Sequence, residues 1–356
     1  MYLRRLAIAI AVTAAVPAAA QFSLGGASWG NAKPGKPVEF PSGTSLSLDQ
    51  LKRIGKDDAS RTTRVVVPYF QVQFVTSSKK SSNRTWASLS QSYELAGLSQ
   101  ADMQAMTDEL YAKFVDDLRA KGLSVMTIDE ARAASPSFAK LLAAAKPSPW
   151  AGKTGDGTTS TIVAPTGMSV YFHGEDPERD AFSGAISDRS YWNQPAAAKE
   201  LNAALVGARV SVSFVEQKNN DARGLFGFRS STAKLESAVG LTIEPITTHV
   251  WVAGPTRQAS IVGQPVAPAR YYLSSPLILP AAAIADVSDV TTRGQKRSDV
   301  VNSVIGTLLG GGMKQRTKSY TVTVEPQAFR RDVGQAMAAV DTTLAAQAAA
   351  SIAADR

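Results

Sequence analysis

The sequence predicts an α+β (α/β-like) fold: a mixed sheet with flanking helices, a β-rich second half and a C-terminal helix. Three observations predict it. RVVVPYFQVQFV (64–75) is β-branched and aromatic and alternates over Phe70, Val72 and Phe74, the period of a strand. It is followed by a strongly periodic helix, LSQADMQAMTDELYAKFVDDLRAKG (98–122), and a short apolar strand, LSVMTI (123–128), a succession that builds a sheet layer covered by helices. From residue 208 onward alternating segments dominate, until a helical stripe closes the chain.

Taken in order, the chain opens with a secretory signal peptide over residues 1–20. Arg4 and Arg5 form the basic end, Leu6 to Val16 the apolar core, and Ala18-Ala19-Ala20 the small-residue cleavage site before Gln21. The core is too short for a membrane anchor. Residues after the Arg pair lack the twin-arginine pattern, so the general secretory route is expected. Residues 21–60, rich in Gly, Ser, Pro and Lys, read as a flexible leader. The strand at 64–75 contains Pro68, which calls for an edge position or a bulge. TSSKKSSNRTWAS (76–88) reads as a polar loop.

In the long helix, Ser99 is the cap, Asp102 follows three residues later, and Gly122 ends it. Met103, Met106, Leu110, Phe114 and Leu118 form its apolar stripe. Asp129 is placed to cap a further helix through SPSFAKLLAAAK. PSPWAGKTGDGTTST (147–161) reads as a loop and GMSVYFH (167–173) as a strand. Helix AAAKELNAAL (196–205) leads to strand ARVSVSFVEQ (208–217). AKLESAVGLTIEP (233–245), THVWVAG, ARYYLSSPLIL and YTVTVEP (320–326) continue the β pattern. Ser298 is placed to cap a helix through VVNSVIGTLL, which stops at Gly310. From Pro326 a final helix carries Phe329, Val333, Met337, Val340 and Leu344. No fixed-period repeat is present. The domain reading is one α/β unit over 61–330, divisible into lobes 61–146 and 162–330, with an Ala-rich helix over 331–356.

The absence of cysteine excludes disulfides, thiolate metal sites and cysteine nucleophiles. The formal charge is +8, reduced by two when a leader carrying Arg4 and Arg5 is removed. That excess suits anionic surfaces and does not point to nucleic acid. Beyond the signal peptide no apolar run reaches about 18 residues.

Several motifs resemble catalytic signatures without their context. GASWG (Gly26 to Gly30) matches a nucleophile elbow but lies in the leader, with neither the strand nor the helix that motif needs. AGKT (151–154) resembles the end of a phosphate-binding loop, yet Pro147 replaces its first glycine. Ser77-x-x-Lys80, Ser81-x-Asn83 and Lys153-Thr154-Gly155 occur in the order of penicillin-binding enzymes, but the first two motifs are adjacent. FHGEDPERDAF (172–182) places His173 and Glu175 as candidates for a metal or proton site. Its Gly174, Asp176 and Pro177 read as a turn, and the acids as a solvated face. His249, in a strand pattern beside Trp251, reads as a packing residue.

VVVPYFQVQFV, LSQADMQAMTDELYAKFVDDLRAKG and LSVMTIDEA together resemble the opening of the curli-secretion channel lipoprotein family and related TolB N-terminal-like domains. AKLESAVGLTIEP is similar to a later strand of that fold. The resemblance implies non-catalytic work in the bacterial envelope, often by oligomers. It departs at the lipobox cysteine, which this chain lacks, so lipid anchoring and a secretion pore fall outside what it implies.

The expectation is therefore an exported, non-catalytic envelope protein, periplasmic or associated with the outer membrane, acting by binding or assembly. It needs no cofactor and no nucleic acid. Its expected partners are an envelope protein, an anionic envelope surface touched peripherally, or further copies of itself. The contact set is Arg223, Phe226, Phe228 and Arg229 of RGLFGFR with Arg297, Lys314, Arg316 and Lys318 of the basic segment 293–331. Two alternatives stand beside this: a periplasmic hydrolase or metal-dependent enzyme using His173 and Glu175, and a β-hairpin pore-forming or secretion protein.

Overall fold

The computed structural model describes residues 35–41, 43–55, 62–84, 87–143, 145–153, 158–171, 190–219, 235–255, 269–292 and 314–353. Among them, fourteen strands form one mixed sheet. In chain order these are β1 (Val38–Glu39), β2 (Leu51–Ile54), β3 (Arg64–Arg84), β4 (Ala87–Ala96), β5 (Ser124–Met126), β6 (Trp150–Lys153) and β7 (Thr158–Val163). They continue with β8 (Ala204–Asn219), β9 (Leu235–Ile243), β10 (His249–Ala253), β11 (Ala269–Leu273), β12 (Leu277–Ile278), β13 (Ile284–Asp289) and β14 (Lys314–Val324). The α-helices are α1 (Gln100–Ala120), α2 (Ile128–Ala134), α3 (Pro136–Ala143), α4 (Ser190–Leu201) and α5 (Pro326–Ala353). The chain thus adopts the α+β class its sequence predicts, C-terminal helix included.

Strand β3 organises the sheet. Along its first half β8 runs parallel to it, from Val65 opposite Ala204 to Phe74 opposite Val212. β5 and then β7 occupy its other edge. Burial on both faces explains the continuous apolar run of RVVVPYF. Pro68 falls where the pairing slips. β3 advances from Val66 to Tyr69 while β8 advances only from Leu205 to Gly207. The proline therefore sits in a β-bulge of a central strand, where its missing N–H breaks no ladder bond.

The bulge resets which side chains face which layer. Val65, Val67, Phe70, Val72 and Phe74 enter the larger core, with Met106, Phe114 and Leu118 of α1 and the α5 stripe Phe329, Val333, Met337, Val340 and Leu344. Val66 and Tyr69 face the smaller core, with Phe138 and Leu141 of α3, Leu201 of α4 and Trp251 of β10. Helices α1 and α5 follow β4 and β14, which are parallel neighbours, so the two strand–helix units lie side by side. Ser99 and Asp102 form the expected capping box, and Gly122 has φ +81° just past the helix.

The opposite layer departs from the sequence reading. Thr127, not Asp129, caps α2, in a capping box with Glu130. The expected single helix is two, because Pro136 cannot continue α2. Ser135 restarts it: its Oγ accepts from the Phe138 N–H at 3.0 Å. The Glu200 carboxylate of α4 accepts from the Ser137 N–H at 3.1 Å and from the hydroxyls of Ser135 and Ser137. α4 begins at Ser190 and carries Pro195 within it, a residue that reads in sequence as a boundary.

Other expectations are also corrected. Part of the stretch read as a leader is built into the fold: β1 pairs with β12, β2 with β11, and Phe40 and Leu46 are buried. These strands are too short to show a period. Residues 76–84 and 87–88 are strand, paired between β3 and β4, and β6 pairs with β7, which begins within 147–161. Of the strand read at 167–173, the described part holds one bridge, Val170 to Lys146. Stretches 61–146 and 162–330 share a single sheet through β3 and β8. GASWG and the VVNSVIGTLL helix lie outside the described residues.

Candidate functional site: the basic end of the sheet

Beyond Phe74 the sheet forks. β4 replaces β8 on the edge of β3, from Ser77 opposite Glu94 to Arg84 opposite Ala87. β14 joins β4 in parallel, and β13 joins β14. β8 instead continues with β9, from Val212 opposite Ile243 to Asn219 opposite Leu235. Register shifts accompany the fork, between Val75 and Ser77 of β3 and between Ser213 and Val215 of β8. Such bulges bend a strand locally and let the two branches part.

Strand direction then fixes one end of the molecule. β8 is parallel to β3, and β14 is parallel to β4. The β3–β4 connection, the end of β8, the start of β9 and the start of β14 therefore all lie at the same end. Lys314 is opposite Ala87 beside the hairpin tip, Arg316 opposite Leu89, and Lys318 opposite Gln91, which in turn is opposite Lys80. Arg316, Lys318 and Lys79 are exposed and Lys80 is half-buried. The acids Glu94, Asp286 and Asp289 lie nearer the helices, paired at the level of Thr321, Thr323 and Tyr320. The branch is thus basic towards its tip and acidic at its base.

Two aromatic rings brace it. Tyr93 and Tyr320 stack at 4.9 Å with planes 16° apart, and the Lys318 ammonium lies 6.0 Å from the Tyr320 ring centre. The Tyr93 hydroxyl is 2.7 Å from Ser237 Oγ, and Ser237 donates to Gln91 Oε1 at 3.1 Å. These contacts tie β4 to β9 across the fork.

Of the expected contact residues, Lys314, Arg316 and Lys318 are thus brought together on β14. Arg223, Phe226, Phe228 and Arg229, between β8 and β9 in sequence, and Arg297, between β13 and β14, lie outside the described residues. His173 and Glu175 also lie outside them. The nearest described residue is Tyr171, whose backbone exchanges two hydrogen bonds with the Gln71 amide, at 3.1 and 3.2 Å. The serine motif has no shared site: Ser77 and Lys80, three apart on a strand, face opposite sides. Ser81 Oγ donates to Ser90 Oγ at 3.1 Å. Ala151 to Lys153 of the phosphate-loop lookalike are strand β6.

The sequence reading missed a buried polar row. Tyr272, His249, Arg209 and Gln71 stand opposite one another across β11, β10, β8 and β3. Arg209 is 5% exposed, Arg270 3% and His249 1%. The Tyr69 hydroxyl lies 3.5 Å from His249 Nε2. The available signal was an arginine in each of two otherwise apolar strands, ARVSV and ARYYL. His249 is buried, as its strand pattern suggests.

Among the described residues no group of three or more His, Cys, Asp or Glu is placed to hold a metal ion. No described helix is long and apolar enough to cross a membrane. Compared with known proteins, the chain matches no family model, no curated protein and no solved structure.

Proposed function

We propose that the chain is an exported, non-catalytic envelope protein that acts by binding, docking on an anionic surface through the basic end of its sheet. The observation that carries this reading is the convergence of three inter-strand attachments on one end, where exposed Arg316, Lys318 and Lys79 also stand. Each basic side chain near an anionic membrane contributes on the order of 1 kcal/mol, so several together hold a protein reversibly. Two of the sequences attached there, RGLFGFR and VVNSVIGTLL with its flanking basic residues, combine cations with apolar groups, a composition suited to the headgroup boundary. Surface docking fits the branch better than insertion. Along β3 one face carries Ser77, Lys79 and Ser81 and the other Ser78, Lys80 and Ser82, whereas a membrane-spanning strand turns an apolar face to lipid.

The test is cosedimentation of the mature protein with vesicles rich in anionic lipid. Binding is expected at low salt and release near 1 M, where the screening length falls to about 3 Å. A variant with Lys314, Arg316 and Lys318 each changed to Glu should stay in the supernatant. Wild-type protein that fails to bind at low salt, or a folded triple variant that binds as well, overturns the reading.

A further inference from the structure

Helix α5 buries two acids: Asp332, which pairs with Arg331 at 2.7 Å, and Asp341. Asp341 is fully buried, and neither carboxyl oxygen meets a hydrogen-bond donor among the described residues. Two helical turns earlier on the same face, Gly334 lies against Met106 of α1. Helix α1, which packs along α5, carries Lys113 and Asp117, which pair with each other at 3.0 Å and whose charges act on Asp341. Among the described residues, the other elements packed on α5 add no charge here. β8 and β10 turn Val206, Ala208, Val210, Val250 and Val252 into this core, and segment 43–47 has no ionisable side chain.

An ionised carboxylate with no partner is costly in such a place, whereas the neutral acid leaves only an unmet polar group. Burial first, and then the Asp117 carboxylate, hold the Asp341 proton on well above the ordinary carboxylate range, with Lys113 opposing them.

We propose that Asp341 is a proton-operated catch on the C-terminal helix: as the neutral acid it lets α5 lie on α1, and losing its proton loosens the helix. The unfolded chain releases this proton near pH 4. Between that pH and the folded-state pKa the folded protein binds one proton more, so this group makes stability fall as pH rises, then level off. An alkaline shift therefore frees α5, and an acid shift seats it.

The experiment is hydrogen exchange of α5 amides, corrected for intrinsic rates, in a pH series from 5 to 9, with α3 as the internal reference. Wild-type protection of α5 relative to α3 should fall by tenfold or more at pH 9. Asp341→Asn, which keeps the shape and cannot ionise, should abolish that fall. Lys113→Met removes a cation that favours the ionised form, so it should move the wild-type midpoint to higher pH. Equal pH responses in wild type and Asp341→Asn, or a midpoint that Lys113→Met leaves in place, overturn the proposal. If Asp341→Asn fails to fold, the Lys113→Met midpoint alone decides.

Discussion

At the level of single residues, the most constrained backbone position between β4 and α1 is Gly97. Its φ is +91°, and a Cβ there would strike the carbonyl oxygen of Val324. Both the left-handed backbone and the close approach of β14 demand glycine. Gly97→Ala should therefore cost roughly 2 kcal/mol or more, read as a lowered urea midpoint at unchanged slope. A loss below about 0.5 kcal/mol would show that the strands part easily there. Two residues on, Ser99→Ala should cost about 1 kcal/mol by removing one side of the capping box. Ser99, Asp102 and Gly122 were legible because caps are local chemistry written within four residues. Gly97 was not, since the atom it must avoid lies more than two hundred positions away. Nor could burial of Arg209 and Arg270 be read from alternation, which says which face a side chain takes but not what covers it.

Elements were legible in proportion to their apolar periodicity. α1, the first half of β3, β10 and the α5 stripe each bury a continuous apolar face, and each was readable. The β3–β4 hairpin was not, because SSKKSSNR and SLSQS alternate between polar and polar, so no period shows. Its existence depends on the ladder with β4 and the support of β14. Ser81→Pro should remove a backbone N–H and fix φ in the stretch of β3 that pairs with β4. The loss should be about 3 kcal/mol and should disorder the hairpin before the core, visible as lost exchange protection confined to 77–94. One carboxylate adds hydrogen bonds to the apolar α3–α4 contact. Hydroxyl hydrogen bonds from Ser135 and Ser137 hold the Glu200 carboxyl below its ordinary range. A depressed carboxylate contributes stability above its unfolded pKa and loses it as pH falls through the folded value. Glu200→Gln should thus lower Tm by a few degrees at pH 7, with the gap from wild type closing below about pH 4. A gap constant from pH 7 to pH 3 would show that shape, not charge, ties the helices.

On the scale of the whole molecule, two halves of the sequence share one sheet, and the fork in that sheet separates a helix-covered body from a polar branch. The fork was hidden in the sequence because it is made by register, through single extra residues in β3 and β9. Export belongs to this scale as well. If the first 20 residues are a leader, intact mass from the native host should correspond to a chain starting at Gln21, and a retained Met1 would refute it. The central claim is directional: the tip of the branch, not the opposite end, meets the anionic surface. The 21 residues of β3 separate the two ends by up to roughly 65 Å at about 3.3 Å per residue. The chain has no cysteine, so a single introduced thiol reports one place. Ser81→Cys lies near the tip and Lys121→Cys at the far end of α1, and both positions are exposed. With an environment-sensitive fluorophore on each and anionic vesicles added at low salt, the label at 81 should brighten and blue-shift, the label at 121 should not, and salt near 1 M should reverse the change. An equal or larger response at 121, or none at 81 while the protein is bound, would contradict docking through the basic end.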